Sequence, residues 1–246
     1  MDWCEDNYTV TGNIAEFTNT LSNILLVVIP AVALKYKLWG NYSKFVTKGV
    51  EYVLYLFVFV GISSAYFHAT LSLLGQWLDE MGILWAVCFS YAFFTPSTQR
   101  PKFVSETMTR VLASFLAITL TVTWFIAPYV NAFWLMCLGV PCFIMLRVGL
   151  KKEKDQSVVK IIRVTCYLAV SSVTLWISDR AMCNFWLNLG IPGLHNVWHL
   201  LSTEVAYCTL TIFAYWKAVY DKPYLKVSMK CMWGIPYVHC KDRMSS

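Results

Sequence analysis

The stretch AITLTVTWFIAPYVNAFWLMCLG, residues 117–139, decides how the chain is read. It lies in an apolar run from 108 to 149, about forty residues, whereas a helix needs only about 20 to cross roughly 30 Å of hydrocarbon. One span is therefore too few. The run divides at Ala127-Pro128-Tyr129 into spans at 108–127 and 129–149, joined by a tight turn. Outward from it, similar apolar runs are read at 14–36, 46–68, 78–95, 161–178 and 196–218. Composition agrees: 58% of the 246 residues are hydrophobic and 14% charged, with a mean hydropathy of +0.54, far from an ordinary soluble domain. The first run is too long and too deep in the chain for a cleavable signal peptide.

Lys and Arg test the topology independently, because they concentrate in cytoplasmic loops. Nineteen of the twenty fall in loops 1-2, 3-4 and 5-6 or in the tail, and only Arg180 falls on the other side. The expected fold is thus an all-α membrane protein, a seven-transmembrane helix bundle with a lumenal or extracellular amino terminus and a cytosolic carboxyl terminus. Residues 1–13 form a lumenal acidic arm, 14–220 the bundle and 221–246 a cytosolic tail. The net charge of +6 follows from this topology and gives no reason to invoke nucleic acid.

On this map His68, His195 and His199 fall near one lumenal boundary, with Asp79 beginning the third span. His195 and His199 are spaced i, i+4 and so share a helix face, as two ligands of one zinc ion must. A single histidine at a helix end reads as an ordinary interfacial residue, but three converging point to a metal. His239 lies in the tail and needs no special role. Ser64 sits one turn before His68, and ionisable groups within a span are costly and usually functional. Three imidazoles leave zinc an open position for water. Asp79 is then the expected proton carrier, with Glu80 as the alternative base, and Ser64 the expected oxyanion partner. Taken singly, Ser64 reads as a helix-packing residue.

Asp2-Trp3-Cys4-Glu5-Asp6-Asn7-Tyr8 and Ile14-Ala15-Glu16-Phe17-Thr18-Asn19-Thr20-Leu21-Ser22-Asn23 resemble the amino-terminal signature of the alkaline ceramidases. Tyr66-Phe67-His68-Ala69-Thr70-Leu71-Ser72, Leu78-Asp79-Glu80, Trp176-Ile177-Ser178-Asp179-Arg180 and His195-x-x-Trp198-His199 follow in the family's order. The resemblance runs from residue 2 to Tyr237, and the wording of the first and third motifs looks most like the Golgi-type member. It implies an intramembrane zinc-dependent amidase of the Golgi or endoplasmic reticulum that hydrolyses ceramide to sphingosine and a fatty acid, with its site on the lumenal side. It places zinc on His68, His195 and His199 and catalytic roles on Ser64 and Asp79. A two-chain lipid suits the composition, since it can enter sideways from surrounding membrane lipids.

The lumenal segment holds Asp2, Glu5, Asp6 and Glu16 and no Lys or Arg. By itself it reads as a solvated acidic arm. The resemblance implies a regulatory Ca²⁺ on the side chains of Asp2, Glu5, Asn7 and Glu16 and the carbonyl of Trp3, hard oxygen donors of the kind calcium takes. The chain starts close to the motif, and the terminal amine beside Asp2 is expected to weaken that site. Five of the nine cysteines fall inside spans and Cys231 and Cys240 face the cytosol. Cys4 and Cys183 are both lumenal, where a disulfide can persist, and the family places a bridge at these positions. The sequons at Asn7 and Asn41 are expected to stay unmodified, and Glu204, inside the seventh span, matches no motif. The alternative reading is a zinc-containing receptor of the progestin and adiponectin type, which shares seven spans and three histidines but has the opposite orientation. A transporter or scaffold with a structural zinc is the third.

Overall fold

A computed structural model describes residues 3–191 and 193–243. The turn at residue 127 is where the sequence places it. Helix α6 (Glu106–Ile126) ends at Ala127, Pro128–Val130 form a single 3₁₀ turn, and α7 (Asn131–Lys152) begins directly after. Pro128 lacks the N–H that would continue α6, so the chain reverses there.

Before this pair come α1 (Phe17–Ser22), α2 (Ile24–Lys35), α3 (Gly40–Phe45), α4 (Gly49–Thr70) and α5 (Leu73–Phe94); after it come α8 (Gln156–Ala181), α9 (Cys183–Asn188) and α10 (Leu194–Asp221). Five segments are long and apolar enough to cross a membrane: 17–35, α4, α6, 128–152 and α8. The chain is thus a predominantly helical membrane protein. On α6 alone Val111, Leu112, Phe115, Ile118, Val122 and Phe125 are exposed, a stripe that water would not tolerate and lipid would. Helices α5 and α10 are also long enough, but they carry Asp79, Glu80, His195, His199 and Glu204 and are less apolar. They are the inner helices. Over its last half α10 buries every residue from Leu210 to Ala218, Lys217 included.

Several boundaries differ from those read in the sequence, and two helix starts do so for a clear local reason. The first span starts at Phe17 because Ala15 and Glu16 donate their backbone N–H groups to the carbonyls of Ala69 and His68, which end α4. The third starts at Leu73 because Ser72 caps it, accepting from Gly75 N at 3.1 Å, which sets Asp79 in the second turn. The segment read as a tail carries a hairpin, so the fold is not purely helical: β1 (Leu225–Met232) and β2 (Ile235–Asp242) pair antiparallel. Trp233 and Gly234 turn the hairpin, both with positive φ, 51° and 84°, as a two-residue turn of this kind requires. Leu225, Val238 and Cys240 are buried against the α3 and α10 side, and Asn41 bonds His239 Nδ1 at 3.1 Å. Burial first, then Lys230 and Lys241, holds that imidazole below its ordinary pKa. His239 therefore serves the hairpin and not the histidine site.

Candidate metal centre

The site begins at the α4–α5 corner. Ser64 and His68 share a face of α4 one turn apart; Leu71 closes the helix in the left-handed region at φ 48°. A Cβ on Gly75 would lie 2.8 Å from Phe67 Cα, so glycine lets α5 cross close enough to set Asp79 against α4. The Asp79 carboxyl lies in reach of the Ser64 hydroxyl and the His68 ring, and its Oδ1 is buried without a hydrogen-bond partner. From the opposite side α10 brings His195 and His199. The three rings are 1, 2 and 5% exposed, and each offers a nitrogen within 4.8 Å of the others.

Surrounding side chains set which nitrogens are free. Glu16 Oε2 meets His68 Nδ1 at 2.5 Å. A carboxylate only accepts, so Nδ1 carries the proton and Nε2 keeps its lone pair. Ser22 Oγ donates its one proton to Asn19 O (2.8 Å) and therefore accepts from His199 Nδ1 (2.7 Å). The same tautomer follows. His195 is clamped by stacking: Trp3 lies 3.5 Å from it, ring centroid to centroid, at 11°, and Trp198 4.9 Å away at 16°. His68 Nε2, His195 Nδ1 and His199 Nε2 are then buried without a hydrogen-bond partner among the described residues. Three converging orphaned lone pairs in a buried pocket fit a divalent ion, and carboxylate or hydroxyl partners on the far nitrogens are what metal-bound histidines have. Substituting Glu16→Gln should weaken metal affinity about 10- to 100-fold, as for other such partners. Competition against a chromophoric chelator measures this; unchanged affinity would refute the orienting role.

The amino-terminal segment is packed down here. Cys4 and Cys183 are bridged with Cα atoms 5.4 Å apart. Asp179 holds both ends of the assembly, accepting from Cys4 N at 3.3 Å and from His195 N at 3.2 Å. Gly193 N donates to Cys4 O, and Arg180 lies 5.3 Å over the Trp3 ring. The bridge spans 179 residues, so it removes much unfolded-state freedom. Cys4→Ser should lower stability by about 2–5 kcal/mol, seen as an earlier thermal transition in detergent, and reduction of the native protein should mimic it. Equal transitions would contradict this.

Among the expected calcium ligands, Asp2 lies outside the described residues. Glu5 is buried and accepts from Thr18 N and Asn19 N at 2.7 and 2.9 Å, thereby capping α1. Glu16 accepts from Trp3 N and Asn19 Nδ2 at 3.1 and 3.0 Å besides holding His68. Asn7 is exposed. The arm is therefore anchored to the bundle at Glu5 and Glu16, while residues 6–10 between them are exposed. Glu80, the alternative base, faces away: its carboxylate accepts from Gln76 Nε2 (2.8 Å), Trp124 Nε1 (2.7 Å) and Asn131 Nδ2. It fastens α6 and α7 to α5. Glu204 is half-buried on α10, with no ion pair among the described residues.

Sequence reading left Ser22, Asp179 and Trp198 without roles and gave Glu16 only to calcium. Their motifs were visible, but their partners are not. Glu16 and His68 are 52 positions apart and Ser22 and His199 are 177 apart; only the packing of α1 between α4 and α10 joins them.

Comparison with known proteins adds to this geometry. The ceramidase family model matches residues 1–239. An alkaline ceramidase of Drosophila melanogaster is 39% identical over 98% of this chain and 88% of its own length. Alkaline ceramidase 1 of Mus musculus is 33% identical over 98% and 91%, and that of Homo sapiens 31% over 98% and 94%. With a buried three-histidine centre, a bundle of membrane helices and whole-chain similarity in agreement, the chain belongs to the ceramidase family.

Proposed function

We propose that the chain is a zinc-dependent amidase of the membrane that hydrolyses ceramide to sphingosine and a free fatty acid. The observation that carries this is the convergence of His68, His195 and His199 lone pairs beside an open carboxylate oxygen of Asp79, in a chain whose relatives are named alkaline ceramidases. Three neutral imidazoles are the donor set of a catalytic zinc, which when bound supplies Lewis acidity to the amide carbonyl and to the attacking water.

The residues then divide the work. Asp79 takes the proton of the water as its oxygen bonds to the amide carbon, and returns a proton to nitrogen as the C–N bond breaks, releasing carboxylic acid and amine. Ser64 Oγ–H donates to the carbonyl oxygen as negative charge gathers there. Glu16 and Ser22 hold the histidine tautomers, and Trp3 and Trp198 hold the plane of His195. The centre is buried, and the low dielectric there strengthens each of these interactions.

All seven long helices are read as spans, α5 and α10 included, with the centre on the lumenal side and the basic loops in the cytosol of the Golgi or endoplasmic reticulum. Calcium belongs to the reading as a regulator, on Asp2, the Trp3 carbonyl, Glu5, Asn7 and Glu16. Glu5 and Glu16 keep lone pairs beyond those their N–H donors use, and Glu16 links the arm to His68. Stiffening of the arm would thus reach the centre through one carboxylate.

The test is hydrolysis of defined ceramides by the purified full chain in lipid nanodiscs, before and after a zinc chelator, with zinc then restored. The expected result is release of sphingosine and fatty acid, loss on chelation and recovery on repletion. Absence of turnover on every ceramide tried, or turnover indifferent to the chelator, would sink the proposal.

A further inference from the structure

A groove of about 410 Å³ opens on the seam between α7 and α8, toward the end of α7 and the start of α8. Phe143, Arg147 and Leu150 line it from one face of α7, and Arg163, Tyr167 and Val170 from one face of α8. Its volume is that of a small-molecule site. Its walls are apolar and aromatic, and its only charges are two guanidiniums.

Those guanidiniums flank the groove, one on each helix, with Cys166 between them in the lining and in reach of Arg147. Arg147 lies five residues inside the α7 end at Lys152 and Arg163 seven residues inside the α8 start at Gln156, so both sit roughly 8–10 Å along the helix axes from the helix ends. Both are exposed on the outer surface of the bundle. No carboxylate pairs with either among the described residues. Both stand on the basic side, two residues from the ends of the apolar runs 129–149 and 161–178, so their long side chains reach headgroup level, where an anionic group is at hand to pair with them. Lys151 and Lys152 at the end of α7 and Lys154 in the connection outnumber Glu153 and Asp155 there, so the net local field is positive.

We propose that this seam binds one anionic phospholipid of the leaflet on the basic side, its phosphate held between Arg147 and Arg163 and an acyl chain lying along the groove. Guanidinium matches phosphate oxygens with paired charge-assisted hydrogen bonds, and basic pockets between membrane helices on this side take anionic headgroups. The packing of α7 leaves room for such a molecule. Over 22 residues it buries only Asn131, Leu146 and Gly149. Its lower end is nevertheless fixed, because Gly149 lies under the Trp216 ring, where a Cβ would collide, and Trp216 Nε1 donates to Glu153 at 2.9 Å. The groove is therefore held in register at its charged end and completed by lipid along its length.

Native mass spectrometry of the full chain, released from detergent micelles containing phosphatidylglycerol, phosphatidylcholine or oleate, distinguishes the sources of the anion. Retention of a single phosphatidylglycerol is expected, well above phosphatidylcholine or oleate. The R147Q/R163Q protein should retain about tenfold less or lower still, the loss of two charged contacts, whereas K160Q should retain as much as the native chain. Equal retention by R147Q/R163Q, or oleate or phosphatidylcholine held as firmly as phosphatidylglycerol, overturns the proposal. Should the double variant not fold, phosphatidylglycerol carrying a photoreactive acyl chain decides on the native protein. Adducts on Phe143, Leu150 or Tyr167 support it, and adducts confined to other helices overturn it.

Discussion

Replacing His199 by alanine should abolish ceramide hydrolysis, by about a thousandfold or more, and strip the metal from the same molecules. The size follows from what is lost: a zinc ion, when bound, would lower the pKa of water to near neutrality and stabilise transition-state charge by several kcal/mol. The position makes compensation difficult. His199 is buried, its Nδ1 is held by Ser22 at 2.7 Å, and its Nε2 faces the other two rings without a partner. Alanine leaves two imidazoles, from different helices, and an empty volume where the third stood. Parallel measurement of turnover and bound zinc checks this. A His199→Ala protein that still cleaves ceramide would exclude the role given to that residue, whatever its metal content.

Asp79→Asn should separate what His199→Ala removes together. Asparagine keeps the size and polarity of the side chain beside Ser64, and it is not a ligand in this reading, so zinc should stay at its native stoichiometry. It cannot take up a proton from water. Turnover should fall by about 10²- to 10⁴-fold, the usual worth of a positioned acid–base group, with little change in the ceramide concentration needed for half-maximal rate. The pairing of results carries the argument: metal kept and rate lost marks a proton carrier, whereas metal and rate lost together would make Asp79 a support of the centre. A transporter or scaffold with a structural zinc predicts a third outcome, in which its own function survives the substitution.

Glu80→Gln is the natural companion. Its carboxylate is already committed to Gln76, Trp124 and Asn131, so its substitution is expected to loosen α6 and α7 and to leave the zinc content intact.

The break at Ala127-Pro128-Tyr129 and the five other helical runs were legible because hydrocarbon thickness is a severe constraint that composition must meet. The histidine trio was legible for a related reason: spacing i, i+4 on one helix and a shared depth on another are the two kinds of position a linear pattern encodes. What remained hidden depends on long-range packing. No periodicity says that Glu16 faces His68, that Ser22 faces His199, or that Asp179 holds Cys4 and His195 together. The helix starts at Phe17 and Leu73 depend on an inter-helix backbone pairing and on a serine cap, neither of which hydropathy registers.

The carboxyl-terminal hairpin was hidden differently. Its inward residues alternate with Lys226, Ser228 and Lys230, and a short strand pattern carrying basic residues reads equally as a charged tail. The Trp233-Gly234 turn was the available signal, since glycine between two alternating runs marks a hairpin. Glu80 shows the opposite limit. Sequence preferred Asp79 but kept Glu80, one residue on, as the alternative base, and the 100° between consecutive side chains on a helix sends one toward α4 and the other toward α6 and α7.

The most direct measurement is the zinc content of purified, catalytically active protein, determined by elemental analysis alongside the rate of ceramide cleavage in the same preparation. One zinc per chain, with activity rising in proportion to occupancy as metal is restored to the stripped protein, is the predicted result. Full activity in a preparation holding far less than one zinc per chain would contradict the account.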